Sequence, residues 1–375
     1  MTEKRWLSAL RLSDFRNYTT LSLAFAPKHI VFTGENGAGK TNLLEAVSFL
    51  SPGRGMRRAA YGEVSRQAGE AGWAVVADIG SDEGEARIGT GLATRDETAR
   101  QIRIDGDIQK TSDSLLEHVS VMWLTPAMDG LFTGPGADRR KFLDRMVLSL
   151  HSGHGRQVSG FEKSMRSRNR LLEDGRSDPA WLDAIEMQMA EHACAIGQAR
   201  RELVDLLASS VRFLDEGGSA FPAADIALEG EFENDLATLP ASDAEENYRL
   251  SLRSSRPRDR AAGRTLSGPH RADLKVRHQD KDMPAAKCST GEQKALLLGL
   301  VLSHAHLVGR MTGKAPLMLL DEVAAHLDER RRDALFDLLD RLGCQALMTG
   351  TDRQAFTGLG DRAQFVHVSG GTAEL

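Results

Sequence analysis

FTGENGAGKTNLLEA, residues 32–46, sets a glycine-rich turn between an apolar run and a stretch with helical spacing. Ile30-Val31-Phe32 feeds directly into the turn, and Leu43, Leu44, Val47 and Leu50 then share one helical face. Gly34, Gly39, Lys40 and Thr41 satisfy every fixed position of the pattern G-x-x-x-x-G-K-[ST]. Glycine lets successive backbone N–H groups turn inward with no Cβ in the way, and the helix behind adds its positive end. The stretch Gly34, Glu35, Asn36, Gly37, Ala38, Gly39, Lys40, Thr41 and Asn42 is therefore a candidate cradle for the phosphates of ATP. Lys40 would reach the β- and γ-phosphates, and the Thr41 hydroxyl would ligate Mg²⁺.

A phosphate loop alone does not choose between kinase, GTPase, motor and clamp; the second half of the chain does. PLMLLDEVAAHLD (316–328) places Leu317 to Leu320 before Asp321-Glu322. A buried strand of that kind can deliver Asp321 to the magnesium shell and Glu322 to the attacking water as general base. Upstream, CSTGEQKALLLGLVLSHAHL (288–307) offers Ser289 and Thr290 as N-caps of an apolar helix, with Gly291 allowing close approach. This stretch resembles the S-x-G-x-Q signature of ABC-type ATPases, which makes Ser289, Gly291 and Gln293 candidate nucleotide contacts. In that class the signature of one subunit closes on the γ-phosphate held by another. The triphosphate then supplies charge to both helix ends, and ATP joins two copies.

Composition sets the outer limits. At 375 residues, 41% hydrophobic and 27% charged, the chain suits about two globular domains. MTEKRW carries charge at once and no apolar leader core follows, so no secretory signal is expected. No run approaches a membrane span, and no membrane partner is expected. Cys194, Cys288 and Cys344 lie far apart in no metal-ligand spacing and read as reduced thiols of a cytoplasmic protein. The net charge of −5 is unevenly spread. Residues 222–247 hold acids and no Lys or Arg, whereas 249–277 are rich in arginine, an asymmetry that can mark a polyanion site.

Leu21, Leu23 and Phe25 alternate with small or polar residues, and strand-like pieces follow at Trp73–Ile79, Arg87–Thr90 and Gln101–Ile104. From Asp138 to about Leu214 the spacing is helical, through Trp181, Ile185, Met189, Ile196, Leu203, Leu207 and Val211, with Gly197 as a weak point. Residues 215–247 read as loops and a short strand. The expected fold is α/β: an ABC-type P-loop ATPase head of mixed sheet and helices at 1–137 and 255–375. A mostly helical lobe (138–254) is inserted into it, and no long coiled coil follows because no heptads are present. Trp73, Trp123 and Trp181 are expected in the core, and His270, His304, His306 and His326 show no metal spacing.

RLSDFRNYTTLSLAFAPKHIVFTGENGAGKTNLLEAVSFL (11–50) resembles the start of the RecF family of bacterial DNA replication and repair proteins. DRRKFLDR (138–145), GPHRADL (268–274) and LLDEVAAHLDERRRDAL (319–335) are similar to that family's later motifs, so the likeness runs over residues 5–360. It implies an ATP-dependent homodimer that binds double-stranded and gapped DNA, with slow, DNA-stimulated ATP hydrolysis. It further implies RecO- and RecR-like partners, loading of RecA, a link to the SOS response, and a nucleoid-associated place in the cytoplasm. Arg139, Arg140, Lys141, Arg264 and Arg271 are the candidate DNA contacts, by backbone rather than base readout. Neutralising about six phosphates would give log K against log salt a slope near −5.

Some positions depart from the pattern. Thr125-Pro126 stand where a Q-loop glutamine is expected, and Ala346–Met348 runs into Thr349-Gly350-Thr351 instead of a switch histidine. Thr349 and Thr351 are the candidate γ-phosphate sensors. The rival readings are an ABC-transporter nucleotide-binding subunit, another SMC-like ATPase, a small-molecule P-loop kinase and an architectural DNA binder. The absent switch histidine counts against the first, and the kinase leaves the signature without work. The architectural binder has no need of Glu322.

Overall fold

Alternation over the first twenty-five residues becomes an antiparallel pair, β1 (Arg5–Phe15) and β2 (Tyr18–Ala24), with Leu10 opposite Leu23 and Leu12 opposite Leu21. The computed structural model describes residues 2–66, 72–174, 178–215, 220–324 and 327–374. His326 and the side chain of Leu214 lie outside the described residues. Two compact units result: Met1–Asp129, Leu214–Phe221 and Leu297–Leu375 form one, and Gly130–Phe213 with Pro222–Leu296 the other.

In the first unit, β3 (His29–Thr33) precedes helix α1 (Lys40–Ser48), and the one-turn helices α2 (Tyr61–Val64) and α3 (Leu115–His118) lie in later connections. Strands β4 (Trp73–Ser81), β5 (Gly84–Leu92), β6 (Gln101–Ile104) and β7 (Asp107–Ile108) extend the first pair into an antiparallel sheet ordered β2-β1-β4-β5-β6-β7. β8 (Val121–Leu124) belongs to the other sheet. Numbering β9 to β11 falls in the second unit, and β12 (Leu317–Leu320), β13 (Ala346–Gly350), β14 (Ala363–Ser369) and β15 (Thr372–Glu374) complete the first. The second sheet runs β15-β14-β3-β13-β12-β8, parallel except for β15. β8 and β12 are buried at every residue, the continuous apolar pattern of parallel strands covered on both faces. Phe15, Phe49 and Trp73 meet in the core, with Phe49 and Trp73 centroids 4.8 Å apart. Trp123 is also buried, as expected.

In the second unit, α4 (Gly136–Leu148), α5 (His154–Asp174) and α6 (Pro179–Asp215) are followed by β9 (Ala224–Glu229), α7 (Glu231–Thr238), α8 (Ala241–Ser254) and α9 (Arg256–Ala262). β10 (Asp273–His278) and β11 (Met283–Pro284) then lead to α10 (Thr290–Thr312), whose residues from Leu297 on belong to the first unit, as does α11 (Glu329–Arg341). α6 runs unbroken through Gly197. A Cβ there would come within 2.3 Å of Leu236 and 3.1 Å of Phe232, so the missing side chain is what lets α7 pack against it. The 37 residues of α6 make it the longest described helix, too short for an SMC-type arm.

Four expectations change. Residues 255–296 pack with the helical unit, because β10 pairs antiparallel with β9 and Asp259 of α9 is bound to buried Arg168 of α5. Residues 231–238 and 241–247 are helical, not loop, since Phe232, Leu236, Ala244 and Tyr248 bury an apolar stripe. Part of the arginine-rich run is neutralised in place: Arg249 by Glu246, Arg256 by Asp183 and Glu186, Lys275 by Asp273, Arg277 by Asp282. Trp181 is 63% exposed rather than core. α10 is long and apolar enough to cross a membrane by composition alone, yet 72% of its apolar window is buried in the fold.

Candidate functional site

The turn between β3 and α1 is shaped by its glycines. Gly34 sits at φ +147°, and a Cβ on it would fall 2.2 Å from the Val368 carbonyl oxygen. Gly39, at φ +114°, is the N-cap of α1, and no side chain caps that helix or places an acid in its first turn. Its free N–H groups are thus left for an external anion. Lys40 is 5% exposed, and its Nζ donates to the carbonyls of Gly34 (2.6 Å) and Glu35 (2.8 Å). Burial lowers its pKa below 10.5, against the opposing pull of Glu322 and Asp321.

Parallel pairing of β12 with β13, and of β13 with β3, sets three strand ends side by side at the cradle. Asp321 leaves β12 there, 6% exposed. Its Oδ1 accepts from Thr41 Oγ1 at 2.9 Å and from Thr349 Oγ1 at 2.8 Å. The Thr349 hydroxyl also accepts the Glu322 backbone N–H at 2.9 Å. Glu322 itself has φ +56°, a left-handed backbone that non-glycine residues rarely adopt and that this bond helps to hold. A hydroxyl and a carboxylate oxygen side by side are hard oxygen donors of the kind Mg²⁺ takes, so Thr41 and Asp321 fit the ion. Thr351 is exposed.

Sequence reasoning missed the support of the cradle. The β1–β2 turn, Arg16-Asn17-Tyr18, with Arg16 at φ +55°, presses on it from behind. Tyr18 Oη donates to Gly39 O at 3.1 Å, Asn17 Nδ2 to Ala38 O at 3.2 Å, and Asn42 Nδ2 to Asn17 Oδ1 at 2.7 Å. Fully buried Glu45 of α1 takes both Arg16 (Nε, 2.8 Å) and Arg57 (NH1, 2.8 Å). Polar residues between two apolar strands, as in FRNY, were the available signal. The hydroxyl of Thr349, a candidate phosphate sensor, donates to the Asp321 carboxylate and accepts the Glu322 backbone N–H.

The remaining candidates lie in the second unit. Ser289 caps α10 in a reciprocal box. Ser289 N and Oγ donate to Glu292 Oε2 at 2.9 and 2.8 Å, and Glu292 N donates to Ser289 Oγ at 3.4 Å. Lys281 and these bonds hold the Glu292 carboxyl down at about 2. Gln293 Nε2 donates to the Cys288 carbonyl at 2.8 Å, and a Cβ on Gly291 would meet open space. Arg139 is committed internally, to Asp273 through Nε (2.7 Å) and NH2 (2.9 Å) and to three carbonyls through NH1. Arg140 donates to Ala272 O at 2.8 Å. Lys141 is exposed beside Asp138 at 3.6 Å. Arg264 and Arg271 are exposed, and their guanidinium groups have no hydrogen bond or ion pair among the described residues. In the GPHR stretch, His270 Nε2 donates to Thr265 O at 3.1 Å and the ring lies against Phe161, so the histidine packs. No group of residues able to hold a metal through three or more His, Cys, Asp or Glu exists among the described residues.

A family model described as the RecF/RecN/SMC N terminal domain matches residues 6–372. The DNA replication and repair protein RecF of Rhizobium meliloti (strain 1021) is 57% identical over 372 residues, 99% of either chain. That of Agrobacterium fabrum is 57% identical over 373 residues, and that of Mesorhizobium japonicum 54%, covering 99% of this chain and 98% of its own. Solved structures of the recombination mediator protein RecF with ATPrS and with ATP superpose with TM-scores of 0.86 and 0.82 at 23% identity. They cover 100% and 99% of this chain, and 98% and 99% of their own. An Smc head domain from Pyrococcus furiosus gives 0.55 at 15% identity. The fold is thus that of the ABC-type ATPase head shared by these proteins. Full-length identity above one half to curated relatives, on the fold that the phosphate-loop reading requires, places this chain in the RecF family of DNA replication and repair proteins.

Proposed function

We propose that the chain is an ATP-gated DNA clamp of recombinational repair, binding duplex and gapped DNA as a dimer. One observation carries the nucleotide part: Thr41 and Thr349 converge on Asp321 beside an uncapped helix N-terminus with a buried lysine in its loop. Lys40 would exchange its two carbonyl partners for phosphate oxygens, and Gly37, with open space at its Cβ, lets the backbone approach them. Thr41 and Asp321 would hold Mg²⁺, which when bound neutralises phosphate charge. Glu322 would orient water and take its proton. Family membership supports slow turnover in service of DNA binding, since the relatives are described as replication and repair proteins.

Ser289, Gly291 and Gln293 would receive the γ-phosphate of a second copy. That requires the Glu292 carboxylate to yield its place at the α10 N-terminus, so dimer closure is coupled to breaking the capping box. Arg264 and Arg271, together with exposed Lys141 beside Asp138, are the cations best suited to DNA phosphates. Arg139 and Arg140 would shape that surface from beneath. RecO- and RecR-like partners, RecA loading and an SOS link follow from the same reading, as does a nucleoid-associated, cytoplasmic location. Sedimentation of the full chain with and without ATP and gapped DNA is the test. The expected outcome is a dimer on DNA only with ATP; a chain that stays monomeric and DNA-free in every mixture refutes the proposal.

A further inference from the structure

Glu233 is a buried acid of the second unit that the nucleotide chemistry does not use. It is the third residue of α7 and 5% exposed, and neither carboxyl oxygen has a hydrogen-bond partner among the described residues. An isolated charge in such a place is costly, so the fold favours the neutral acid. Burial accordingly pushes the Glu233 pKa above 4.5, against the opposing pull of its own backbone N–H, Arg200 and Arg140.

The elements packed on α7 leave it one available cation. On α6, Arg200 spends Nε and Nη2 on Asp144 and Nη1 on Pro269 O, and Arg201 donates to Leu236 O. On α8, Tyr248 turns its hydroxyl to Ser267 O. On β9, Glu229 faces Lys275 at 3.6 Å, and Asp273 of β10 holds Arg139. Arg140 of α4 is different. It is partly exposed and donates only through Nη1, to Ala272 O at 2.8 Å; Nε and Nη2 have no acceptor among the described residues. Burial, Arg200 and Arg271 press against its charge, while Asp273 and Asp144 support it. The same Ala272, fully buried, borders the acid. A Cβ on Gly230 would stand 2.1 Å from Glu233 Oε2 and 3.3 Å from Ala272 Cα.

We propose that Glu233 and Arg140 form a proton-gated pair: the neutral acid leaves the guanidinium to a DNA phosphate, and the ionised acid draws it in across Ala272. The phosphate rests on the duplex-binding reading above; the pair itself does not. A phosphate on Arg140 removes the cation that eases ionisation of Glu233, so DNA binding and retention of the proton reinforce each other. Duplex affinity is therefore expected to fall as pH rises and Glu233 ionises.

Thermal melting of the full chain between about pH 4 and 9 tests the pair without DNA. With the folded-state pKa raised, the unfolded chain gives up its proton first, so stability declines from pH 4.5 upward until the folded acid ionises too. Glu233→Gln stays neutral and should melt higher than wild type above that point. Arg140→Met removes the cation that receives the charge, so adding Glu233→Gln to it should raise the melting temperature by more. Duplex binding with ATP tests the gate. Wild-type affinity should drop several-fold with rising pH, and the salt slope should flatten by about 0.9, one phosphate contact. Glu233→Gln should keep the tighter binding throughout, and Arg140→Met the weaker. Equal melting of wild type and Glu233→Gln at every pH, or a gain from Glu233→Gln that Arg140→Met leaves unchanged, overturns the pair. Duplex affinity whose pH dependence survives Glu233→Gln overturns the gate. The expected melting shifts with no duplex binding at any pH uphold the pair and sink the functional reading together with the gate.

Discussion

Replacing Thr349 with valine tests whether one hydroxyl organises both acids of the site. Thr349 is 1% exposed, and valine keeps its shape, so no cavity is made. Two bonds disappear: a donor to the Asp321 carboxylate at 2.8 Å and an acceptor for the Glu322 N–H at 2.9 Å. A hydrogen bond to a charged group is worth about 1.5–3 kcal/mol, and a buried N–H left unpaired costs about 1–3 kcal/mol. Asp321 keeps Thr41, which favours the lower end of the first range, and together the loss is about 3 kcal/mol. Thermal unfolding followed by circular dichroism should therefore show a clearly less stable protein. The φ of Glu322, +56°, is held in part by the lost N–H bond, so its carboxylate should drift. ATP affinity should change by only a few-fold, while turnover falls by at least about tenfold, equivalent to about 1.4 kcal/mol of barrier. Thr349→Ser keeps both bonds and should restore both readouts. Wild-type melting and turnover in Thr349→Val, or a serine variant as impaired as valine, would refute the reasoning.

Gly34→Ala should abolish ATP binding in an equilibrium titration, since its Cβ would sit 2.2 Å from the Val368 carbonyl oxygen at a φ disfavoured for L-residues. Tyr18→Phe removes the bond to Gly39 O, so stability should drop by about 1 kcal/mol and ATP affinity by a few-fold. Arg168→Met leaves Asp259 buried with only neutral partners and should cost about 3–5 kcal/mol in urea unfolding; adding Asp259→Leu should recover part of this. Burial lowers the pKa of Lys40 below 10.5, so the free protein loses that positive charge earlier on the alkaline side than an exposed lysine would. ATP affinity should fall as pH rises through that value, and Lys40→Arg should remove this alkaline limb.

The phosphate loop, the strand before Asp321 and the capped helix at Ser289 were legible in the sequence because each is a local pattern. Glycine spacing, a run of four leucine or methionine residues and an N-cap need only neighbours in the chain. The long helix α6 was legible for the same reason, and Gly197 became intelligible only once Phe232 and Leu236 were seen against it. The acidic stretch 231–247 gave no clear periodicity to oppose its polar composition, so its helices emerged only from the burial of Phe232, Leu236 and Tyr248.

What composition could not reveal is which charges are already spent. Arg139 and Arg140 look like DNA contacts on paper and are bound to Asp273 and a carbonyl in the fold. Arg249, Arg256 and Arg277 are likewise paired, while the guanidinium groups of Arg264 and Arg271 in the same run have no partner among the described residues. Ion pairing is a contact between residues as far apart as 139 and 273, and burial of an indole depends on whether another element arrives to cover it. Local spacing dictated the nucleotide cradle; long-range packing alone decided which cations and which tryptophan remain available to a partner.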